Sequence, residues 1–123
     1  FYEAMPTKIK LLIKQVTVNS SIGQGSSELS ASQCYVFIPA AIELSNSYEI
    51  SGEPFINEGE TISYMTSNDA RKRAAVDGDY ASYWTRSQNV GYTNYIYTVN
   101  EQGDLYGFNT AGTQNGVLIE ISF

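Results

Sequence analysis

The sequence predicts an α+β fold in a single domain, residues 1–123. Three observations predict it. Helix-compatible spacing of apolar residues is confined to the N-terminal part, and the middle of the chain is irregular and punctuated by Gly and Pro. The last third alternates runs of aromatic and β-branched residues with Asn/Gly/Asp turns. A chain of 123 residues suits one core, because a domain of this size buries roughly two-thirds of its unfolded surface. No internal repeat and no second domain are visible.

Met5, Ile9, Leu12, Ile13 and Val16 share one face at helical spacing, which predicts a helix beginning near Pro6, with Lys8, Lys10 and Lys14 largely off that face. The Ser/Gly-rich stretch from Asn19 to Ser32 reads as an exposed loop. Cys34-Tyr35-Val36-Phe37-Ile38 is a short continuous apolar run, expected to be a buried strand or extended segment. Pro39 ends it and opens a helical turn around Ala40 to Leu44. From Ser45 to Thr66 the pattern predicts a long packed loop region with at most short strands, anchored by Ile62, Tyr64 and Met65. Asp69 to Ala75 reads as a short helix capped by Ser67, Asn68 or Asp69, closed by the turn Asp77-Gly78-Asp79.

The expected C-terminal sheet is small, twisted and antiparallel. Its strands are Tyr83 to Ser87, Tyr95 to Val99, Leu105 to Asn109 and Val117 to Phe123. Asn100-Glu101-Gln102-Gly103-Asp104 is a tight connection in which Gly103 takes the positive φ that short hairpin loops require. In the final strand Val117, Ile119, Ile121 and Phe123 are expected to face inward.

Composition narrows the function. Seven basic and thirteen acidic side chains give a formal charge of −6, which repels a phosphate backbone and argues against nucleic-acid binding. No run of about 20 apolar residues is present to insert into a membrane, and no secretory signal is visible. The start at Phe1-Tyr2, without an initiator methionine, reads as a processed or excised piece.

Chemistry is sparse. With no histidine and one cysteine, neither a Ser-His-Asp nor a Cys-His arrangement can be built, and zinc lacks its usual ligands. Cys34 can form no intrachain disulfide and is expected to be a buried, inert thiol. Asp77 and Asp79, with Glu58, Glu60 or Asp104, offer hard oxygen ligands for calcium, but no EF-hand spacing occurs. No metal site and no cofactor are therefore assigned. Paired carboxylates for glycoside hydrolysis remain as a remote alternative, because any of thirteen acids can meet across a fold.

Recognition has better support. Ten tyrosines occur in the chain. Tyr35, Tyr64, Tyr83 and Tyr97 lie among apolar neighbours, whereas Tyr80, Tyr92, Tyr95 and Tyr106 sit beside Gly, Asn and Asp. That second setting offers rigid contact area at small entropic cost, as in antibody paratopes. Gln88, Asn89, Tyr92, Asn94 and Tyr95 are the candidate ligand-binding surface. Trp84 is expected to anchor the core. Arg86 has two readings: its fork of donors satisfies backbone carbonyls near the sheet, or it binds a carboxylate or sulfate of a ligand. Burial separates them.

The order of features carries a resemblance. A helix, an apolar segment ending in Ile38-Pro39-Ala40-Ala41-Ile42-Glu43, a loop-rich middle, Trp84-Thr85-Arg86-Ser87, a hairpin with an Asn-x-x-Gly-Asp turn and a terminal Gly116-Val117 strand follow one another. In this the chain resembles a bacterial domain family of unknown function with a C-type-lectin-like fold. That family is similar in turn to the sulfatase-modifying factors and to the retroelement-diversified variable proteins. Members close with Gly-Val-Arg-Pro, whereas here Leu118-Ile119-Glu120 follows Gly116-Val117.

The resemblance further implies an N-terminal strand and another helix ahead of Phe1-Tyr2-Glu3-Ala4-Met5-Pro6. The chain is then expected to be N-terminally truncated, with a sheet edge exposed for pairing with another segment or copy. It implies a non-catalytic recognition or adhesion module of a bacterial surface or secreted protein, binding protein or glycan near the Trp84-Thr85-Arg86-Ser87 strand. Calcium-mediated sugar binding is disfavoured, because Glu53-Pro54 is followed by Phe55 and no Trp-Asn-Asp occurs.

Overall fold

A computed structural model describes residues 1–123 except Gln24, Gly25, Ser47, Tyr48, Ser51, Glu53 and Thr93. Glu53, used in the motif comparison above, therefore lies outside the described residues. The architecture is α+β with very short helices: α1 (Thr7–Lys10), α2 (Ala41–Leu44) and α3 (Asn68–Arg71) are one turn each. Tighter 3-10 turns occupy Tyr2–Ala4, Phe55–Asn57 and Ser63–Met65. β1 (Val16–Ser21) and β2 (Leu29–Cys34) form an antiparallel pair. β3 (Tyr83–Gln88), β4 (Tyr95–Val99), β5 (Leu105–Thr110) and β6 (Gly116–Val117) form a second sheet in the order β5-β4-β3-β6.

Several sequence expectations coincide with this structure. β4 spans Tyr95–Val99, α2 follows Pro39, and Ser67 caps α3 by accepting from the Ala70 amide. The region from Ser45 to Thr66 holds two 3-10 turns and no strand among its described residues. β6, however, runs parallel to β3, so the sheet is mixed and not purely antiparallel.

Other expectations are corrected. The N-terminal helix stops at Lys10. The Lys14 amide donates to the Ser122 carbonyl at 2.8 Å and draws the chain onto the C-terminal segment, after which Val16, Thr17 and Val18 join β1, where β-branched side chains fit best. Leu11 and Leu12 are consequently exposed.

The stretch from Asn19 to Ser32 holds much of a hairpin, not a loop, in the register Asn19↔Ala31, Ser20↔Ser30 and Ser21↔Leu29. Among its described residues Val18 is the one buried hydrophobic side chain, so no sustained hydrophobic alternation announces the strands. Past Cys34, the last residue of β2, the apolar run is not a buried strand: Tyr35 is exposed, Val36, Phe37 and Ile38 are half-buried, and an isolated bridge joins Phe37 to Glu120; Cys34 itself is a half-buried free thiol.

At the C terminus β6 leaves the sheet after Val117. Glu120 and Ser122 make isolated bridges to Phe37 and Lys14. Val117 and Phe123 point to solvent, while Leu118 packs on the core.

The core has two lobes. Ala40, Ala41, Ile42, Ile50 and Phe55 form one, with Val90, Tyr97 and Leu105 against it; Leu44, Met65, Tyr83 and Val99 form the other, with Ile62, Leu105 and Leu118. Leu105 touches both. Tyr83, not Trp84, is the sheet's inward anchor: along β3 Tyr83, Thr85 and Ser87 are buried and Trp84 is half-buried. The Tyr83 hydroxyl donates to the Arg71 carbonyl at 2.8 Å, and burial pushes its pKa up to about 12.

Arg71 is fully buried, and all five of its donors are used. They reach the carbonyls of Gly103 and Leu44, both oxygens of Glu49 and the Asn68 side chain, at 2.6–2.8 Å. The Arg71 guanidinium holds the Glu49 carboxyl below its ordinary pKa. Gly103 has φ +84°, as its turn requires, and a Cβ there would overlap the Asn68 carbonyl oxygen. Gly103→Ala is expected to lower the unfolding free energy by roughly 2 kcal/mol or more, measured as a shift of the urea midpoint; an unchanged midpoint would refute this account of the turn.

Candidate functional site

Arg86 settles between its two readings. Its Nε donates to Asn19 O at 3.0 Å; one terminal nitrogen reaches Ile38 O and Glu43 Oε2 at 2.7 and 2.8 Å, the other Glu43 Oε1 and Glu58 O at 2.7 and 2.6 Å. All five donors are occupied and the side chain is only 9% exposed, so no donor remains for a ligand carboxylate or sulfate. Its placement among the ligand-binding residues is corrected. Arg86 is a structural fork that joins β1, the segment before α2, α2 itself and the turn at Glu58.

Three carboxyls surround it. Glu43 takes the bidentate pair and also accepts from the Ala40 amide at 2.7 Å, closing the start of its own helical turn. Glu58 is fully buried, accepts from the Ser21 amide at 2.9 Å and takes a short hydrogen bond from the Ser87 hydroxyl; burial raises its pKa in spite of these donors. Burial pushes Glu120 up to about 7, reinforced by the neighbouring Glu43 carboxylate with which it is hydrogen-bonded. The acids thus converge on a guanidinium. Three surface cavities, one lined by Met5, Ile9 and Ile119, another by Tyr83 and Leu118, the third by Trp84 and Ile96, carry no acidic side chain. Among the described residues no group of three or more Cys, Asp or Glu could hold a metal ion, and no helix is long and apolar enough to cross a membrane.

The remaining candidate residues divide into an inner and an outer set. Gln88 is half-buried, and its side chain lies against Gly23 so closely that a Cβ there would overlap it. Asn89 is 8% exposed; its Nδ2 donates to the Gly107 carbonyl at 2.7 Å and its Oδ1 accepts from the Gly91 amide at 3.0 Å. Asn89 is therefore a positioning residue, not a contact residue. Its backbone amide also reaches the Tyr95 carbonyl at 3.0 Å. The loop that carries Tyr92 is thereby held against β4 and β5 at both main chain and side chain. Tyr92 and Asn94 are exposed and Tyr95 is half-buried.

Tyr92 and Tyr95 belong to a larger ring cluster. Tyr92, Tyr95 and Phe108 meet mutually at centroid distances of 5.6–5.9 Å, and Tyr106 adds a ring 5.8 Å from Phe108. These are edge-to-face and tilted contacts of the kind aromatic rings prefer. Tyr92, Tyr106 and Phe108 are each about half exposed, at 55%, 47% and 50%. Phe108 was not among the sequence candidates. Its signal was the pair Tyr106-x-Phe108, which alternation places on one face of β5, with Gly107 between them. Gly107 is required by the opposite face, where a Cβ would stand 2.6 Å from the Tyr97 ring.

The chain matches the model of a domain family described as a domain of unknown function, DUF6273, over residues 1–118, and it belongs to that family. No curated protein matches the chain, and no solved structure does.

Two measurements check the electrostatic account. Arg86→Lys is expected to cost about 3 kcal/mol or more of unfolding free energy, because an ammonium cannot serve a planar bidentate partner and three carbonyls together; a loss below 1 kcal/mol in urea denaturation would contradict it. Glu120 and Glu58 hold a proton more tightly folded than unfolded. Their stabilisation is complete below about pH 4.5, the ordinary carboxyl value, and for Glu120 it is lost as pH rises to about 7. Stability is expected to fall from pH 5 to pH 8 by about 1–2 kcal/mol, after allowance for solvent screening. Glu120→Gln should flatten this slope, and a slope unchanged in that variant would exclude Glu120 as its source.

Proposed function

We propose that this domain is a non-catalytic recognition module on a C-type-lectin-like scaffold, part of a bacterial surface or secreted protein, that takes a protein or glycan ligand on its aromatic face. Tyr92, Tyr95, Tyr106 and Phe108 form that face, with Asn94 at its margin. The observation that carries the proposal is the exposed four-ring cluster itself. A soluble surface gains nothing from half-exposed rings packed side by side, whereas binding sites use them as rigid contact area. Short helical turns followed by a small, largely antiparallel sheet support the scaffold assignment.

Preorganisation supplies the mechanism. Asn89, Gly107 and the β4–β5 ladder hold the rings before any ligand arrives, so little conformational entropy remains to be lost on binding. Hydrolysis by paired carboxylates has no comparable support, since the converging acids Glu43, Glu58 and Glu120 are engaged around Arg86.

Binding to an oligosaccharide array and to a displayed peptide library tests the proposal. Tyr92→Ala and Phe108→Ala are each expected to weaken the strongest interaction about tenfold or more. Both side chains are half exposed, so the melting temperature should move by only a few degrees. Affinity unchanged in both variants would reject the surface.

A further inference from the structure

The sheet order leaves β5 at an edge. An edge strand offers unpaired backbone donors and acceptors, and proteins usually blunt such edges with Lys, Pro or short length. β5 has neither Lys nor Pro and is not short, although its register against β4 slips by one residue, with Gly107 and Phe108 together opposite Tyr97. It is six residues long, Leu105–Thr110, and contains neither a charged residue nor a proline. The opposite edge, β6, is only two residues long. β2 is also an uncharged outer strand, but it carries Ser, Ala and Gln where β5 carries rings.

We propose that β5 is an acceptor strand, adding an extended peptide of a partner protein to the sheet while Tyr106 and Phe108 grip alternate side chains of that peptide. The inference rests on the aromatic-recognition reading and selects a peptide as its ligand. The Tyr106 and Phe108 rings stand side by side with centroids 5.8 Å apart, close to the repeat of about 7 Å between same-face side chains on a paired strand. Backbone pairing supplies affinity and the rings supply selectivity. A sugar can stack on rings, but it has no row of amides to match the edge.

A second copy of this chain fits less well. Three half-exposed rings offer roughly 300 Å² of apolar surface, against about 800 Å² per partner in a stable interface. Each copy also carries a net charge of −6, which opposes self-association. A short peptide needs less area and brings no such repulsion.

The test begins with a random twelve-residue peptide library displayed against the intact protein, followed by synthesis of the tightest binder. N-methylation of its amides one at a time should reduce affinity tenfold or more at positions of one parity and be tolerated at the other. Hydrogen exchange should slow at β5 amides on binding, and Phe108→Ala should weaken the peptide about tenfold. A methylation pattern without period two, or a library that enriches nothing, overturns strand addition. Oligosaccharide binding that depends on Phe108 while peptides fail also overturns it, yet leaves aromatic recognition standing. Peptide affinity indifferent to both Tyr92→Ala and Phe108→Ala sinks both readings. A concentration-dependent dimer with protected β5 amides in the absence of peptide assigns the edge to a second copy and overturns the proposal.

Discussion

One guanidinium holds this fold together. Arg86 lies on β3, and its five hydrogen bonds reach Asn19 on β1, Ile38 before α2, Glu43 within α2 and Glu58 in the loop region. The elements it joins are too short to stand alone. A one-turn helix is far below the length at which helices persist in water, roughly 12–15 residues, and an isolated two-stranded ribbon is marginal at best. Regular hydrogen-bond ladders therefore give little cohesion between distant parts of the chain. Side-chain donors that terminate on backbone carbonyls supply it instead, and Arg71 repeats the device beneath the Gly103 turn.

Such a hub has an electrostatic cost. A buried cation must recover its lost hydration from well-placed partners, and Glu43 does so with both oxygens. Glu58 and Glu120 then crowd the same region with more negative charge than one arginine neutralises. Burial, with repulsion from the Glu43 carboxylate, raises their proton affinity, so protonation relieves the cluster. Because Glu120 also bridges Phe37 through its backbone, the charge state of this centre bears on how firmly the C-terminal segment is attached.

The same sheet separates structure from display. The face of β3 carrying Tyr83, Thr85 and Ser87 is buried in the core, and β4 covers one flank of β3. That leaves β5 outermost, with its rings in solvent. Asn89 connects the two roles. Buried itself, it fixes the Tyr92 loop to Gly107 in the middle of β5, and this makes the exposed cluster a stiff surface. The proposed recognition function draws on that stiffness more than on any individual ring.

The sequence alone determined what local rules govern: an α+β chain with a β-rich end, the turn around Gly103, the cap of α3, the end of the apolar run at Pro39 and the presence of Tyr92 and Tyr95 in a binding-like composition. Turn chemistry, capping and alternation act within a few residues and are legible there. Tertiary structure decided the rest, because the deciding partners are remote. The N-terminal helix yields to a bridge between Lys14 and Ser122, and a Ser-rich stretch becomes much of a hairpin that buries Val18. Arg86 turns inward because three backbone carbonyls and the Glu43 carboxylate, from four separate segments, converge on it. Phe108 joins Tyr92 and Tyr95 only because β5 lies beside β4, a juxtaposition that no local spacing encodes.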